Sequence, residues 1–409
     1  MKIEKIPEIR FPEFQEAWQL CTIGQLGDVK TGKAFKSSEF NDNGKYLVIT
    51  NKDIQSDIQQ KKISSNRIDI TEETVLDSYL LNGDNILITM DGVNIGKSSK
   101  YTNDRAVLAQ RVGRITSKQL EFIYQIVKDE KFISEMQKVS VGNAIKHISL
   151  KQISDFSFYC PPKESEQEKI GNLLSGMDKD IYMKSNKLTT LKQTKQGFLQ
   201  KMFPKEGESV PEIRFPGFSE KWSYKELGEL INKVTEKNTN RKYNETFTNS
   251  AEQGIVSQRD YFEKDISNNI NIDGYYIVQP DDFVYNPRIS KYAPVGPIKR
   301  NKLSRTGIMS PLYYIFKAKD VDLDYLEVYF ETSYWHTFMK LNGDSGARSD
   351  RFSIKDAVFR KMPIPLPDIE EQKKIANLLK DISKAIVFKE QELQALQQTK
   401  KAFLQKMFV

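Results

Sequence analysis

One long segment that occurs twice limits what this chain can fold into more than any other feature. Residues 162–203 return as residues 367–408, and both copies open on Glu-Gln-x-Lys-Ile and close on Phe-Leu-Gln-Lys-Met-Phe. Neither copy has a proline after its first residue, and in both the apolar residues recur at alternating steps of four and three. This is the pattern of a coiled coil. It predicts two helices of about 40 residues, each about 60 Å long.

The apolar stripe of each helix, here called its seam, is interrupted by two lysines at matching places. These are Lys184 and Lys195 in the first copy, and Lys389 and Lys400 in the second. A polar residue in a seam costs stability but disfavours wrong registers. The other seam residues, together with the helix ends, are predicted to form a coiled coil and to dock a partner subunit: Ile170, Leu174, Met177, Ile181, Leu188, Leu191, Phe198, Met202, Phe203, Ile375, Leu379, Ile382, Ile386, Leu393, Leu396, Phe403, Met407 and Phe408. Two alternatives stay open: the end aromatics only close the coiled coil, or each segment is an amphipathic helix of a domain core.

The repeat covers half of the chain and not only one helix. A leader, Ile-Pro-Glu-Ile-Arg-Phe-Pro at residues 6–12 followed by Trp18, returns at residues 210–216 followed by Trp222, with Val210 in the first place. A duplicated domain plus helix explains this better than a solenoid. We therefore predict a first domain at 1–160 with its leader at 6–27, a helix at 161–205, a second domain at 206–365 and a second helix at 366–409. The polar stretch 205–209 is the predicted hinge.

The two regions between leader and helix carry similar patterns in different sequences. We predict strands at 46–50, 85–89 and 107–115 with a helix at 120–139 in the first, and strands at 275–278, 283–285 and 310–317 with a helix at 323–341 in the second. The predicted fold class is α+β: two globular α/β domains, each followed by a long helix, with an internal pseudo-two-fold repeat. The two long helices are predicted to pair as an antiparallel coiled coil.

Composition excludes several classes of protein. The chain of 409 residues has no apolar run long enough to span a membrane and no signal-peptide core, so we expect a cytoplasmic protein. Its two cysteines, Cys21 and Cys160, are too few for a disulfide scaffold, and with only two histidines a zinc site is not expected. The net charge of +7 permits a polyanionic partner without requiring one.

Three motifs resemble catalytic sites and fail on inspection. The stretch 92–98, Gly-Val-Asn-Ile-Gly-Lys-Ser, has one residue too few between its glycines for a P-loop, although such a turn can still hold a phosphate. Asn-Pro-Arg at 286–288 lacks the second proline and the aromatic residue of an adenine-methyltransferase motif. Pro-Asp at 367–368 followed by Glu-Gln-Lys at 371–373 is too closely spaced for a nuclease triad and stands at the head of a helix. No catalytic residue, metal site or cofactor site is therefore predicted in this chain.

Polar and basic loops remain as candidates for binding nucleic acid, because amide, hydroxyl and cationic groups suit phosphates and base edges. Each loop alone is more simply explained as a solvated surface, but the loops recur at corresponding places in the two halves. The candidate residues are Lys33, Lys36, Ser37, Ser38, Lys97, Ser98, Lys100, Gln110, Arg111, Lys146 and His147 in the first half, and Gln258, Arg259, Arg288, Lys291, Tyr292, Arg300, Arg348 and Arg351 in the second.

Taken together, these segments resemble the specificity subunit of Type I restriction–modification systems over essentially the whole chain. The resemblance lies in the two Glu-Gln-x-Lys-Ile helix starts at 166–170 and 371–375, the Leu-Asn-Gly-Asp-Asn-Ile-Leu segment at 81–87, the Ile-Ser-Leu segment at 148–150 and the two leaders. It implies a protein that catalyses nothing itself. Two target-recognition domains would each read half of a bipartite DNA site, and the helices would set the spacer.

The resemblance also implies partners. Two methylation subunits would dock on the helices, and restriction (translocase) subunits would complete the complex. S-adenosylmethionine, ATP and Mg²⁺ would belong to those partners, and adenine methylation or cleavage would be theirs. Two other hypotheses stay open from the residues alone: an interaction scaffold that reads no DNA, and a self-contained methyltransferase or nuclease.

Overall fold

The structure is a computed structural model that describes residues 5–54, 66–140, 146–262, 272–344 and 350–409, without the side chain of Phe262. It divides into two compact units. The first unit comprises Met1–Ser185 and Gln391–Val409, and the second comprises Asn186–Glu390. Each unit therefore holds one globular domain and a part of each long helix.

The first globular domain and the first long helix supply eight strands and six helices among the described residues. The strands are β1 Gln19–Thr22, β2 Asp28–Thr31, β3 Tyr46–Ile49, β4 Arg67–Ile68, β5 Leu80–Thr89, β6 Ser98–Leu108, β7 Val112–Thr116 and β8 Ser157–Cys160. The helices are α1 Ile23–Leu26, α2 Glu73–Tyr79, α3 Leu120–Lys128, α4 Glu130–Val139, α5 Leu150–Ser154 and α6 Glu164–Lys201. Strands β2-β7-β5-β6-β3-β4 form one sheet in that order, and β1 pairs antiparallel with β8.

The second globular domain and the second long helix repeat this plan with shorter strands. The strands are β9 Ser223–Glu226, β10 Ile231–Lys233, β11 Phe247–Ser250, β12 Gly254–Ser257, β13 Tyr276–Val278, β14 Phe283–Tyr285, β15 Ile298–Arg300, β16 Gly307–Met309, β17 Tyr314–Ala318 and β18 Pro363–Leu366. The helices are α7 Leu227–Leu230, α8 Gln258–Phe262, α9 Leu323–Glu331, α10 Tyr334–Asn342, α11 Asp356–Phe359 and α12 Ile369–Met407. The main sheet runs β10-β17-β14-β15, and β9 pairs with β18.

Strand β5 shows why the first sheet is buried on both faces. Ile86, Leu87 and Ile88 are all fully buried although their side chains alternate between faces. Ile86 and Ile88 pack in one cluster with Ile123 of α3, whereas Leu87 belongs to a separate cluster on the other face. A continuous apolar run is what a sheet covered on both sides requires.

Two of the predicted helices are each two helices. The predicted helix 120–139 breaks at Asp129, whose carboxylate accepts a hydrogen bond from the Lys131 backbone N–H at 2.7 Å and caps α4. The predicted helix 323–341 likewise divides into α9 and α10. Apolar periodicity continues through both breaks, so it could not reveal them. The predicted strand 107–115 is also interrupted, by the turn before β7, and the strand predicted at 310–317 begins only at Tyr314.

The two long helices span 38 and 39 residues, as the heptad pattern predicts. In the first unit their segments run antiparallel, because Ile170 and Leu174 pack in one cluster with Met407. Further along the same segments, Asp178 pairs with Lys400 at 2.6 Å and Lys184 pairs with Glu392 at 3.3 Å.

In the second unit the long-helix segments are antiparallel as well. Leu199 and Met202 pack in one cluster with Ile375 and Leu379, and Lys192 pairs with Glu390 at 2.6 Å. The seam lysine Lys195 reaches Glu331 of α9 at 2.6 Å. The seam lysines Lys184, Lys195 and Lys400 thus each have an acidic partner. The ion pair offsets the free-energy cost of partly burying the ammonium group.

A corner where leader, helix start and helix end meet explains why these three segments repeat. In the first unit Arg10 donates two hydrogen bonds, at 2.7 and 2.8 Å, to the fully buried carboxylate of Glu166 at the start of α6. The Ile9 backbone N–H donates to the Lys406 carbonyl at 2.9 Å, and Trp18 meets Phe408 edge to face at 6.1 Å.

The second unit builds the same corner with the same types of residue. Arg214 donates to both oxygens of the fully buried Glu371, again at 2.7 and 2.8 Å. The Ile213 N–H donates to the Lys201 carbonyl at 2.8 Å, and Trp222 meets Phe203 at 6.2 Å. Each corner joins three separate parts of the chain, so a change in one part must be matched in the others.

One covalent link distinguishes the first unit. Cys21 on β1 and Cys160 on β8 form a disulfide with a Cα–Cα distance of 6.1 Å, across a sequence separation of 139 residues. The sequence argument against a disulfide scaffold did not anticipate this single bond, because the two cysteines meet only through the β1–β8 pairing. Separately, none of the described helices combines the length and the apolar character needed to cross a membrane.

Candidate nucleic-acid interface

Several loops of the first unit meet at the end of β5, and backbone hydrogen bonds hold them together. The Met90 N–H donates to the Arg111 carbonyl at 3.2 Å, the Gly92 N–H donates to the Lys146 carbonyl at 3.2 Å, and the Ile148 N–H donates to the Met90 carbonyl at 2.9 Å. The Gln110 N–H donates to the Lys33 carbonyl at 2.8 Å. We call this place, comprising Lys33 and residues 91–94, 110–111 and 146–147, the first loop junction. It unites five of the predicted binding residues: Lys33, Gln110, Arg111, Lys146 and His147.

Asp91 organises the first loop junction. Its carboxylate is hydrogen bonded to His147 Nδ1 through one oxygen and accepts a hydrogen bond from Arg111 Nη1 at 3.0 Å through the other. Only 12% of the Asp91 side chain is exposed, against 57% for Arg111 and 44% for His147. Arg111 has a positive φ of 69°, which costs a non-glycine residue roughly 1 kcal/mol. The junction therefore presents a restrained guanidinium and imidazole to solvent.

The second unit has the same backbone arrangement at the equivalent place. The Ile289 N–H donates to the Asp350 carbonyl at 2.9 Å and the Phe352 N–H donates to the Pro287 carbonyl at 2.7 Å. These bonds match those around Asp91 and His147, and they set Arg288 opposite Arg351 as the first unit sets Asp91 opposite His147. We call residues 286–293 and 350–351 the second loop junction.

A short hairpin extends the second loop junction. Ser290 and Ala293 exchange backbone hydrogen bonds at 3.0 and 3.1 Å, so Lys291 and Tyr292 lie at the tip, where Tyr292 is 66% exposed. The Asn286 side-chain amide donates to the Asn249 carbonyl at 2.9 Å and anchors the loop on β11. The structure thus brings together Arg288, Lys291, Tyr292 and Arg351.

Two predicted binding residues, Lys100 and Arg300, each pair with an acidic side chain of their own domain. Lys100 on β6 pairs with Glu121 of α3 at 2.7 Å. Arg300, at the equivalent place on β15, pairs with Asp324 of α9 at 2.7 Å and has a side chain only 9% exposed. In both units this cation fastens the sheet to the same helix. Its recurrence, which had favoured DNA binding, reflects a shared internal contact.

The remaining candidates lie outside the two junctions, except for Lys97. The exposed Lys97 borders the first junction, because the Thr89 N–H donates to its carbonyl at 2.9 Å. The Ser98 hydroxyl donates inward to the Val127 carbonyl at 3.5 Å. Lys36, Ser37 and Ser38 are exposed around a 3₁₀ turn, Gln258 and Arg259 lie at the end of the β11–β12 hairpin away from Asn249, and Arg348 lies outside the described residues.

Burial divides the residues predicted to dock a partner. Ile170, Leu174, Leu188, Met202, Phe203, Ile375, Leu379 and Met407 are buried within their own units. Their surfaces are covered within the units, as the alternative in which they close the coiled coil and the corners expects. Partner docking by these eight stays a prediction. Ten seam and end residues are only half-buried: Met177, Ile181, Leu191, Phe198, Ile382, Ile386, Leu393, Leu396, Phe403 and Phe408.

Sequence reasoning missed four residues of interest. Asp91 was overlooked because an acid was not sought among basic loops. Aligning the buried strands at 86–88 and 283–285 shows that Asp91 and Arg288 occupy equivalent positions in the two halves. Val93 is 90% exposed beside Asp91, which is unusual for an aliphatic residue. Met183 and Phe388 occupy matching positions on the two long helices and are 50% and 58% exposed. Among the described residues, no group of three or more His, Cys, Asp or Glu side chains is placed to hold a metal ion.

Two copies of one α+β domain, each joined to a long helix and each presenting a different set of side chains on the same loops, define a two-site recognition protein. The family profile described as "Type I restriction modification DNA specificity domain" matches residues 15–193 and again residues 219–398. The chain belongs to this family.

Relatives span nearly the whole chain. The Type I restriction enzyme MjaVIII specificity subunit of Methanocaldococcus jannaschii is 24% identical over 428 residues, which cover 98% of this chain and 95% of that protein. The putative type I restriction enzyme MjaX specificity subunit of the same organism is 25% identical over 375 residues, covering 84% and 83%. The crystal structure of the Type I restriction–modification S subunit from M. genitalium has a TM-score of 0.61 at 13% identity, covering 98% of this chain and 99% of that one, and shows the same fold.

The chain is therefore the DNA-recognition component of a Type I restriction–modification complex, and it works together with other subunits and DNA. It is a specificity subunit, so catalysis belongs to other components. The predicted family, fold class and role are confirmed, and the comparisons give no support to the scaffold hypothesis.

Proposed function

We propose that the first and second loop junctions read the two halves of a bipartite DNA site. The observation that carries this proposal is one backbone arrangement, repeated hydrogen bond for hydrogen bond, that presents Asp91 and His147 in one unit and Arg288 and Arg351 in the other. A common frame that carries different exposed side chains, Arg111 and His147 in one unit and Lys291 and Tyr292 in the other, is what two readers of different sequences need.

The first loop junction has the chemistry for reading bases directly. The exposed part of the Arg111 guanidinium can donate to the O6 and N7 acceptors of guanine in the major groove. Asp91 fixes Arg111 and His147, so less freedom is lost when they bind. The exposed Val93 side chain suits an apolar contact with a thymine methyl group.

The test is the methylated motif in the genome of cells that express this chain with its methylation subunit, read by single-molecule sequencing. Arg111→Gln should relax one half of the motif and Tyr292→Ala the other half, because each junction serves one half-site. Loss of a base-specific contact costs about 1–3 kcal/mol of discrimination. Lys151→Gln, an exposed lysine on α5, is the matched control and should leave both halves intact. A motif unchanged in both junction variants would contradict the proposal.

The long helices are proposed to set the spacer between the half-sites. Each helix contributes residues to both units. Its length is therefore proposed to determine the distance between the two reading sites. Inserting four residues near Leu188–Leu191 of α6 should change the preferred spacer and leave both half-site sequences unaltered. Recovery of the original spacing from such a variant would exclude this role.

Docking of two methylation subunits is proposed to use the outward faces of the long helices. Met183 and Phe388 are large apolar side chains at matching positions, each at least half exposed, and Val387 beside Phe388 is 53% exposed. Exposed apolar groups of this kind on a helix favour a protein partner. Matching positions would give two partners equivalent places.

Binding of the purified methylation subunit tests the docking surface. Met183→Glu and Phe388→Glu should each weaken it by tenfold or more, with the melting temperature unchanged because neither residue is in a core. Lys187→Gln, an exposed residue of α6, is the control. Undiminished binding by the double variant would place docking elsewhere.

The cofactor assignment follows from the same scheme. S-adenosylmethionine, ATP and Mg²⁺ are proposed to bind the methylation and restriction subunits, with the assembly working in the cytoplasm. Equilibrium dialysis of the purified chain with labelled S-adenosylmethionine should show no uptake until the methylation subunit is added. Uptake by the chain alone would overturn the assignment.

A further inference from the structure

Arg288 and Arg351 lie directly opposite each other in an isolated antiparallel bridge. The hydrogen bonds from Ile289 to Asp350 and from Phe352 to Pro287 flank this pair without linking its own members. In an antiparallel ladder such a non-hydrogen-bonded pair has Cα atoms about 4.5 Å apart and both side chains on one face. Two guanidinium groups therefore begin from neighbouring positions on the same surface, and both residues are exposed.

The first unit has a different pair of residues at the equivalent positions, and these two are hydrogen bonded to each other. At the same two positions stand an acid, Asp91, and a hydrogen-bonded base, His147, with Arg111 on the other carboxylate oxygen. The carboxylate of Asp91 lies between cationic or polar donors. In the second unit that acid is replaced by Arg288.

Among the described residues, no acidic side chain forms an ion pair with Arg288 or Arg351. The acid next to Arg351 in the chain is Asp350, whose backbone carbonyl accepts a hydrogen bond from the Ile289 N–H. Like charges placed directly across a ladder are destabilising. An anion bound between the two guanidinium groups would relieve this repulsion.

We infer that Arg288 and Arg351 form an oxyanion site, and that its occupant in the working complex is a phosphodiester of the DNA backbone beside the second half-site. The inference rests on the proposed reading role of the second loop junction. A guanidinium pair suits phosphate because its planar N–H groups can donate in parallel to two oxygens. Free phosphate has the same chemistry and is the other possible source of the anion.

This assignment divides the work within the second junction. A phosphate contact fixes the register of the protein on DNA but carries no sequence information. Base choice in the second half-site then falls to neighbouring groups, above all Lys291 and Tyr292 at the hairpin tip. The first junction differs, because its own Asp91 occupies the place that the phosphate takes in the second.

The salt dependence of DNA binding tests the site. The full chain, assembled with its methylation subunit, is titrated with DNA that contains the mapped motif at several salt concentrations. Arg288→Gln/Arg351→Gln should weaken binding about tenfold for every sequence, and should lower the slope of log K against log[salt] by about 0.9, the value for one phosphate. The motif itself should not change. Lys221→Gln/Lys225→Gln, which also removes two exposed charges, is the matched control with an unchanged slope.

Neutral backbone linkages locate the contact. A set of DNAs, each with one methylphosphonate linkage in the second half-site, is tested in turn. The wild-type protein should bind about tenfold more weakly when the linkage is at one particular position. The affinity of the double variant should not fall further for that DNA. Arg288→Asp restores the acid of the first unit, so it should raise the melting temperature of the free protein while losing the same phosphate contact. If free phosphate can fill the site, inorganic phosphate should compete with DNA for the wild-type protein better than chloride does at equal ionic strength. The double variant should show no such difference between the two anions.

The outcomes separate this inference from the proposal beneath it. A changed second half-site in the double variant would overturn the phosphate assignment in favour of base contacts. An unchanged slope and affinity in the double variant, while Tyr292→Ala still relaxes the motif, would overturn the site and leave the reading role. Unchanged binding and motif in all junction variants would overturn both.

Discussion

The corners and the loop junctions of the two units are built from equally precise hydrogen bonding, yet only the corners repeat in sequence. At each corner an arginine of the leader meets a fully buried glutamate, and the helix end closes over a tryptophan. In each pair both carboxylate oxygens of the glutamate accept hydrogen bonds from the arginine inside the protein. At the junctions the backbone is paired, but Arg111, His147, Arg288, Tyr292 and Arg351 reach solvent, so internal contacts restrict their identity less. The residues that repeat in sequence are therefore those that contact other parts of the protein, and the residues that vary are those available to a ligand.

Breaking the corner should produce the largest effect, and an equal one in each unit. Arg10→Ala and Arg214→Ala each leave a buried carboxylate without its ion pair, which costs roughly 3–5 kcal/mol in the free energy of unfolding. Urea titration followed by hydrogen exchange should assign each loss to its own unit. Lys151→Ala, which breaks the exposed pair with Asp155 at 3.0 Å, is the control and should cost under about 1 kcal/mol. If the loss of stability at either corner is no larger than in the control, that corner does not make the expected contribution to the free energy of unfolding.

Reduction should affect the first unit alone. The Cys21–Cys160 bond restrains the unfolded chain, and its loss costs about 2–4 kcal/mol. The equivalent strands of the second unit, β9 and β18, carry no cysteine. Hydrogen exchange with and without reductant should therefore accelerate in the first unit and stay constant in the second. Cys21→Ser/Cys160→Ser should behave as the reduced protein does, and a response of wild type shared by both units would contradict the assignment.

One buried acid makes the stability of the second unit fall as the pH rises, whereas the first unit has an amide at the equivalent position. Asp282, only 2% exposed, and Asn85 occupy equivalent positions before β14 and in β5, and burial raises the pKa of Asp282 to about 6. The folded state then prefers the protonated acid, so stability falls as pH rises from about 4 to about 6 and stays lower above that. Asp282→Asn should gain roughly 1–2 kcal/mol at pH 7.5 and little at pH 4.

The reciprocal change sharpens this test. The Asn85 amide donates to the carbonyls of Gly83 and Tyr101 at 2.9 and 3.1 Å, and a carboxylate would repel both. Asn85→Asp should therefore destabilise the first unit at pH 7.5. Thermal unfolding at the two pH values measures both variants, and a gain from Asp282→Asn that is equal at pH 4 and 7.5 would rule out the ionisation argument.

His336 should give the smallest effect, with the opposite pH dependence. Burial lowers the pKa of His336 to about 4, whereas its equivalent on α4 in the first unit is Ile133. The unfolded chain takes up a proton below about pH 6.5 that the folded protein refuses, so stability is lost as pH falls from 6.5 towards 4. Because the ring is partly exposed, the loss is about 1 kcal/mol. His336→Ile should abolish it in thermal melts across this range, and Ile133→Phe, which adds no ionisable group, should leave the pH profile unchanged.

Periodicity and repetition were enough to predict the frame. Heptad steps located both long helices, and the repeated leaders and helix ends predicted a duplication. The domain boundaries stay a prediction, since the compact units take residues from both long helices. Helix breaks at Asp129 and before Tyr334 were not predictable, because a cap depends on local hydrogen bonding that apolar spacing does not record.

The candidate site was only partly within reach of the sequence. Basic loops pointed to Arg111, His147, Arg288 and Arg351, but nothing in their spacing shows that Arg288 lies opposite Arg351. That pairing depends on residues more than 60 positions apart. The same limit hid the ion pairs of Arg300, because its acidic partners on α9 become neighbours only after the sheet has formed.

The corners have a further consequence, for inheritance. Their sequences flank each globular domain, with a leader before it and a Glu-Gln-x-Lys-Ile helix start after it, and they are nearly the same in both halves of the gene product. Homologous recombination between such flanks would exchange a whole domain together with its loop junction, and would rejoin it to contacts that already fit. A new half-site could then be acquired in one step, without an intermediate that fails to fold.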